Sequence, residues 1–494
     1  MQVFASYLPD LGVGTQALFR SAYGVLLLIA LLRLVGHDRR FFVSERYGGY
    51  VGCSLLHDRF HTPVLMRLTL GVWGASAIGL IIGVASPWFG LLNVVLCRYF
   101  FVSMRWNSLL RGMGAPGFML YWTGLVVFLL ECTAHYAPEL RNMALLVAQV
   151  DFALIFLSAG VYKLVAGYAR NDGMNFGLVN PAWGYWSRQY QRLPPDHRAF
   201  VLLNHLGWST EILAAALMLV PQLRFIGGLI ILVTFAFVAT QIRLGTLCSL
   251  VMVCSLLFFG PATQVGAWTD YVGGYVWPSS APPLQPPAVL NAAMAVALWA
   301  YLLLLPVVHA GISFNFYAKR AFRPRILQRL LDRYANLFGI IIWRVFSIDH
   351  LNFFIRIYAL RPHTRERALL NSYGLKGSRR YNEVAESITL TTLFTTLKYY
   401  PSNWRLFSER LLRYARTVQP VPRTDLIFEY VSIRRGAARF EMVPVAEYRV
   451  TADTANVEEH LLVPYAAPRM AAPLSPVHEG QRPGSYAPLV RPAR

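Results

Sequence analysis

The chain has 494 residues, of which 55% are hydrophobic and only 14% charged, with a mean hydropathy of +0.42. A soluble protein carries about 25% charged residues, so the composition excludes an ordinary soluble domain and predicts a polytopic α-helical membrane protein. The net charge of +21 does not predict nucleic-acid binding, because the basic residues fall mostly between apolar stretches and in the last third, where anionic membrane lipids are the fitting partner.

Taken in order, residues 1–17 hold no Lys or Arg, and no basic segment precedes the first apolar stretch. The first span is therefore expected to act as an uncleaved insertion signal. Nine spans are expected, near 18–35, 66–84, 90–103, 117–135, 149–168, 200–220, 225–240, 244–259 and 288–310. A wet loop rich in Gly, Asn and aromatics, 169–198, follows the fifth span, and a Pro-rich loop, 260–287, follows the eighth.

After the ninth come Lys319, Arg320, Arg323, Arg325 and Arg329, on a helix expected to lie at the membrane surface. The stretch 337–346 is short for a span and holds Arg344, so it is not counted as one. From about residue 347 the chain becomes mixed. Phe407, Leu411, Leu412, Ala415 and Val418 fall on one helical face, and 426–433 and 440–450 read as two strands around Gly436. The expected division is 1–310 membrane bundle, 311–346 amphipathic interfacial helix, 347–463 α+β soluble domain and 464–494 Pro-rich tail.

Loops on one side carry Arg39, Arg40, Arg46, Arg59, Arg105, Arg111, Arg170, Arg188, Arg192, Arg198 and Arg243, and those on the other only Arg141 and Arg224. The positive-inside rule then predicts a cytoplasmic C-terminal domain, in a bacterial inner membrane.

Chemistry concentrates in the fifth span, QVDFALIFLSAGVYKLVAGY, which holds Asp151 and Lys163. A charge at membrane depth is costly and faces a bundle interior, a cavity or a partner. On one helix these two residues lie about 18 Å and about 120° apart, so Lys163 needs a partner from elsewhere. His205 and Glu211, on the sixth span, lie roughly 240° apart and share no stripe, so one can face the lysine helix while the other meets a neighbour. A lysine in a dry cavity acts as a base, whereas one beside a carboxylate stays charged, and the residues leave a structural and a functional lysine both open.

Arg98 and Arg105 fit headgroup or carboxylate binding, or topology-setting charge. Trp183 and Trp186 fit a lid, a docking loop or interfacial anchors, while Gln241 and Arg243 are grouped with Lys163, His205 and Glu211 as the polar residues in or next to spans five to seven. Cys53, Cys97, Cys132, Cys248 and Cys254 show no CxxC and no metal spacing. The chain has no Walker loop, GxSxG, HExxH or CxxCH motif.

At Ala159–Leu164, AGVYKL, the chain resembles the HTTM family of vitamin K-dependent gamma-carboxylase-like membrane proteins, which carries Ala-Gly-Val-Lys-Lys-Leu in a similar setting. FRSAYGVLLL and the order His205 to Glu211 resemble the same family, over about residues 15–262. The resemblance implies Lys163 as a base acting on a bound quinone or lipid. Two features depart from it. The family's Asn-His-Ser segment is replaced here by Arg105-Trp106-Asn107-Ser108, and its His-Cys-Met-Asn segment by residues around Gln241 to Arg243. The C-terminal part, Asn371-Ser372-Tyr373-Gly374-Leu375 with Arg380 and Glu383, Trp404 to Val418, and LIFEYVSI, resembles the lipase maturation factor family. That resemblance implies a membrane chaperone, and both families put the soluble domain on the lumenal side, against the charge asymmetry. The expected functions are thus a maturation or assembly factor for a membrane or exported client, a lysine-base membrane enzyme, or an accessory subunit of a larger membrane complex.

Overall fold

The computed structural model describes residues 7–104, 109, 114–277, 288–318, 325–338, 348–361, 364, 366–370, 381–399, 404–418, 424–451 and 456–462. Its helices are α1 (Val13–Val35), α2 (Pro63–Ile82), α3 (Ser86–Cys97), α4 (Gly114–Tyr136), α5 (Arg141–Val165), α6 (Met174–Val179), α7 (Arg198–Leu219), α8 (Arg224–Gln241), α9 (Leu247–Cys254), α10 (Gln264–Val276), α11 (Ala288–Ala318), α12 (Arg325–Phe338), α13 (Tyr381–Tyr399) and α14 (Trp404–Val418), besides shorter turns.

Among the described residues seven helices are long and apolar enough to cross a membrane, and they correspond to α1, α2, α4, α5, α7, α8 and α11. The expectation of nine full-length spans is corrected to these seven. The expected third span is α3, of 12 residues, continued by the π-helical turns Arg98–Ser103. The expected eighth is the short apolar helix Leu247–Phe258. Twelve residues rise about 18 Å, short of a hydrocarbon core of about 30 Å. Hydropathy measures apolar length and not the continuity of one α-helix, which is why both read as spans. Each instead packs on neighbouring helices, α9 buried against α4 and α8, and α3 against α4 with Trp88, Leu91 and Val95 left exposed. The last long helix runs on to Ala318, past the expected end at 310.

A polar cluster fastens the end of the bundle where α1 begins. Arg20 reaches Glu131 at 3.1 Å and the Leu80 carbonyl at 2.9 Å. Glu131 also accepts from Gln16 at 2.9 Å and Ser86 at 2.5 Å. Arg141 donates to Gln16 at 2.7 Å and to the Leu11 carbonyl at 2.6 Å. One carboxylate and two guanidiniums thereby tie together the ends of α1, α2, α3, α4 and α5, with Arg20 and Glu131 as an ion pair and Arg141 held by neutral acceptors. Helix α12 folds back along α11: Gln328 accepts from Asn315 at 2.8 Å, and Tyr334 donates to the Tyr301 carbonyl at 3.2 Å. Lys319, Arg320, Arg323, the stretch 339–347 and the tail 463–494 lie outside the described residues.

The C-terminal part forms a five-stranded antiparallel sheet, β1 (Phe353–Leu360), β2 (Arg367–Leu369), β3 (Leu426–Arg435), β4 (Phe440–Thr451) and β5 (Asn456–Leu461), in the order β2-β1-β3-β4-β5. The expected hairpin is β3–β4, turning at Gly436. Its register slips by one residue where Val431 faces Pro444, a β-bulge at the residue that has no N–H to give the ladder. Helices α13 and α14 cover one face, where Phe394 and Phe407 each meet the Tyr448 ring at 5.3 Å. On α14, Phe407, Leu411 and Ala415 are buried as expected. Tyr414 joins them, and Leu412 and Val418 are only half-buried.

The sheet domain packs on the loops that carry most of the arginines. Arg40 pairs with Glu386 at 2.6 Å, Arg413 with Glu45 at 2.8 Å and Arg435 with Asp172 at 2.9 Å. Asn180 donates to the carbonyls of Leu351 and Phe353 at 2.8 and 2.9 Å.

Candidate functional site

Lys163 lies in the last turn of α5 and Glu211 in the middle of α7. Their side chains, 5% and 4% exposed, form an ion pair with Nζ 2.5 Å from Oε1. Nζ also stands 3.5 Å from the Gly207 carbonyl. One small residue makes this possible. A Cβ on Gly160 would meet Ile212 Cγ1 at 2.6 Å and the Trp208 carbonyl at 3.0 Å, so only glycine lets α5 and α7 come this close. Gly160 and Lys163 are separated by three positions, Gly207 and Glu211 by four, so each pair shares a helix face.

A cavity of about 30 Å³ adjoins the pair, lined among others by Phe156, Met174, Thr234, Phe235 and Leu247. Glu211 Oε2 is buried with no hydrogen-bond partner among the described residues. A space of this size holds a water. It falls well short of the roughly 300–1,000 Å³ of a small-molecule site, so a quinone does not fit the residues as they stand.

Met174 brings the wet loop to the cavity. It opens α6, and its backbone N–H donates to Asn204 of α7 at 2.7 Å, while Asn204 donates to Asn171 at 2.5 Å. The far side of α6 touches the soluble domain, with the Phe176 and Phe440 rings 5.7 Å apart. The loop is thus a plug between the ion pair and the sheet.

Of the other expected site residues, His205 is exposed on α7 and its ring meets Trp208 at 6.1 Å, so it stands apart from the pair. Arg98 lies over the Tyr121 ring at 5.8 Å. Arg105 lies outside the described residues. Gln241, Arg243, Trp183 and Trp186 gather elsewhere, where the loop is pinned to the end of α8. Trp186 donates to the Thr240 carbonyl at 3.0 Å, Tyr190 to Gln241 at 2.8 Å and Arg243 to the Pro181 carbonyl at 3.1 Å. The backbone N–H of Arg243 bonds the buried Trp183 carbonyl at 2.8 Å. These bonds serve loop geometry.

Asp151 makes a separate centre. It accepts from Trp122 Nε1 at 2.8 Å and from the Tyr301 hydroxyl at 2.7 Å, and His309 Nε2 stands 3.5 Å away. It joins α4, α5 and α11, and holds α11 on both sides of Pro306, where the helix lacks a backbone hydrogen bond. Sequence reasoning missed Gly160, Gly207, Met174, Asn204, Tyr301 and His309. The shared faces of Gly160 with Lys163 and of Gly207 with Glu211 were the signal available for the first two. Comparison with protein-family models, curated proteins and solved structures finds no match for this chain.

Proposed function

We propose that the protein is an integral membrane maturation or assembly factor for a membrane or exported client, with its soluble domain in the cytoplasm of a bacterial inner membrane. The observation that carries this reading is the closure of the lysine site. Lys163 is occupied by Glu211 at 2.5 Å, beside a cavity of only about 30 Å³, so it serves packing better than proton abstraction. The docking of a sheet domain on the loop face through Arg40–Glu386, Arg413–Glu45 and Arg435–Asp172 supports a scaffold that presents a surface to clients. The arginines of the same loops support the cytoplasmic placement, and the seven long apolar helices support the multi-pass one.

The competing reading, a lysine base acting on a quinone or lipid, is favoured by one observation, the unpartnered Glu211 Oε2, a buried proton acceptor.

The test is quantitative proteomics of membrane and exported fractions from cells lacking the protein. A small defined set of clients should fall in abundance. Restoration by both the wild type and the double variant Lys163→Met/Glu211→Leu supports the maturation reading. Restoration by the wild type alone, with the variant folded, supports the lysine base. An unchanged proteome defeats both, and a fixed stoichiometric set of co-purifying partners in mild detergent identifies an accessory subunit instead.

A further inference from the structure

Helix α10 has two faces of opposite character. Toward α1 it presents Gly266, Thr269, Asp270 and Gly273. Thr269 and Thr15 share a hydrogen bond at 2.9 Å. Asp270 Oδ1 accepts from the backbone N–H groups of Gly14 at 2.6 Å and Thr15 at 3.2 Å, where the start of α1 favours negative charge. A Cβ on Gly14 or Gly273 would collide with the backbone of the other helix.

Gly266 and Gly273 are about two turns apart, yet the Gly266 carbonyl reaches Thr15 and Gly273 abuts Gly14. Two helices running side by side would move on by as many residues on each. Here both turns of α10 meet the same few residues of α1, so α10 lies across the end of α1.

The opposite face carries Trp268, Tyr271 and Tyr275, at 64%, 74% and 81% exposure, with Val265 and Val276 at its edge. It holds no charge, because the single charged residue of α10 is Asp270, turned toward α1. A helix face that meets water is charged or polar. One built from Trp, Tyr and Val matches the boundary between headgroups and acyl chains, where a ring keeps its polar edge wet and its body dry. Val13, between Gly12 and Gly14, where a Cβ on either would meet Asp270, is likewise apolar and 58% exposed.

We infer that α10 is an in-plane membrane helix that seats Trp268, Tyr271 and Tyr275 in the lipid headgroup layer, at the end of the bundle opposite the soluble domain. This rests on the reading that the seven long helices cross a bilayer, and it assigns to α10 an anchoring role that fixes the depth of α1.

The test places the photoreactive residue p-benzoylphenylalanine at Tyr275, and separately at Tyr271, in the full chain in its native membrane. Val72, outward-facing on α2 and 55% exposed, and Arg361 of the soluble domain serve as controls. Irradiation is expected to add the mass of one phospholipid at positions 275, 271 and 72 and none at 361. A discrete protein adduct at both α10 positions would overturn the inference in favour of a protein partner. Lipid adducts at 72 but not at 271 or 275 would show that α10 faces water. Failure at 72 as well would defeat the membrane reading itself.

Discussion

Lys163 and Glu211 stand 2.5 Å apart on two helices that glycine at position 160 allows to touch. Removing one partner leaves the other buried and uncompensated, which costs about 3–5 kcal/mol, whereas replacing both with apolar groups of similar volume is about neutral or stabilising. Lys163→Met and Glu211→Leu are each expected to lower the thermal midpoint in detergent, and the double variant to recover it. A double variant as unstable as the singles would show that the pair is not an isolated structural unit.

Gly160→Val tests the same contact through the backbone. The added side chain must displace the Trp208 carbonyl or Ile212, at a cost of about 1–3 kcal/mol for an overpacked site. Gly160→Ala is expected to have the smaller effect. The measurement is again the thermal midpoint, and a Val variant as stable as the wild type would show that the two helices separate freely.

Asp151→Asn takes the charge from the oxygen that accepts from both Trp122 and Tyr301 and puts an amide NH2 at the position facing His309. A hydrogen bond to a charged group contributes about 1.5–3 kcal/mol. The variant is expected to lose about that much, and Tyr301→Phe less. Limited proteolysis between α11 and α12 reads the result, with faster cleavage expected if Asp151 holds the two halves of α11 around Pro306.

His61 predicts a pH dependence. It lies in the loop before α2, with Nδ1 2.6 Å from the Phe42 carbonyl and Nε2 2.7 Å from the Tyr99 hydroxyl. Burial holds its pKa below the usual 6.5, with the Phe42 carbonyl and Asp58 opposing and His57 reinforcing the shift. The folded state therefore binds fewer protons than the unfolded one as pH falls through the usual histidine range, so stability is present above about pH 6.5 and is lost below it. His61→Gln is expected to flatten that part of the stability profile. A profile unchanged by the substitution would assign the acid sensitivity elsewhere.

Cys53 is expected to resist thiol reagents. Burial, with Asp58 and Glu45 nearby, pushes its thiol up to about 12. At pH 8 the thiolate fraction is then on the order of 10⁻⁴. Maleimide labelling of the folded protein should be far slower at Cys53 than after denaturation, and equal rates would show that the loop around it opens readily.

Much of the fold was legible in particular residues. Hydropathy located the long helices because a bilayer demands about twenty apolar residues in a row, with every backbone group bonded within the helix. The β3–β4 hairpin and the Phe407, Leu411, Ala415 face of α14 followed from alternation and helical period. Asp151 and Lys163 were marked as unable to pair because their separation on one helix is fixed by its geometry. The count of spans was not legible, since α9 is apolar because it is buried among other helices and α3 because it turns Trp88, Leu91 and Val95 outward, and neither because it is long.

The sequence by itself determined that Lys163 needed a partner, because an isolated charge in an apolar helix is too costly to leave alone. Only the tertiary structure decided that the partner is Glu211 and not His205, because the choice depends on which face of α7 meets α5. That face is set by Gly160 and by packing along the whole interface. The same holds for Asp151, whose partners Tyr301 and His309 lie about 150 positions away. The energy of such a contact depends on distance in space, and no local pattern of residues records which distant helix will supply it.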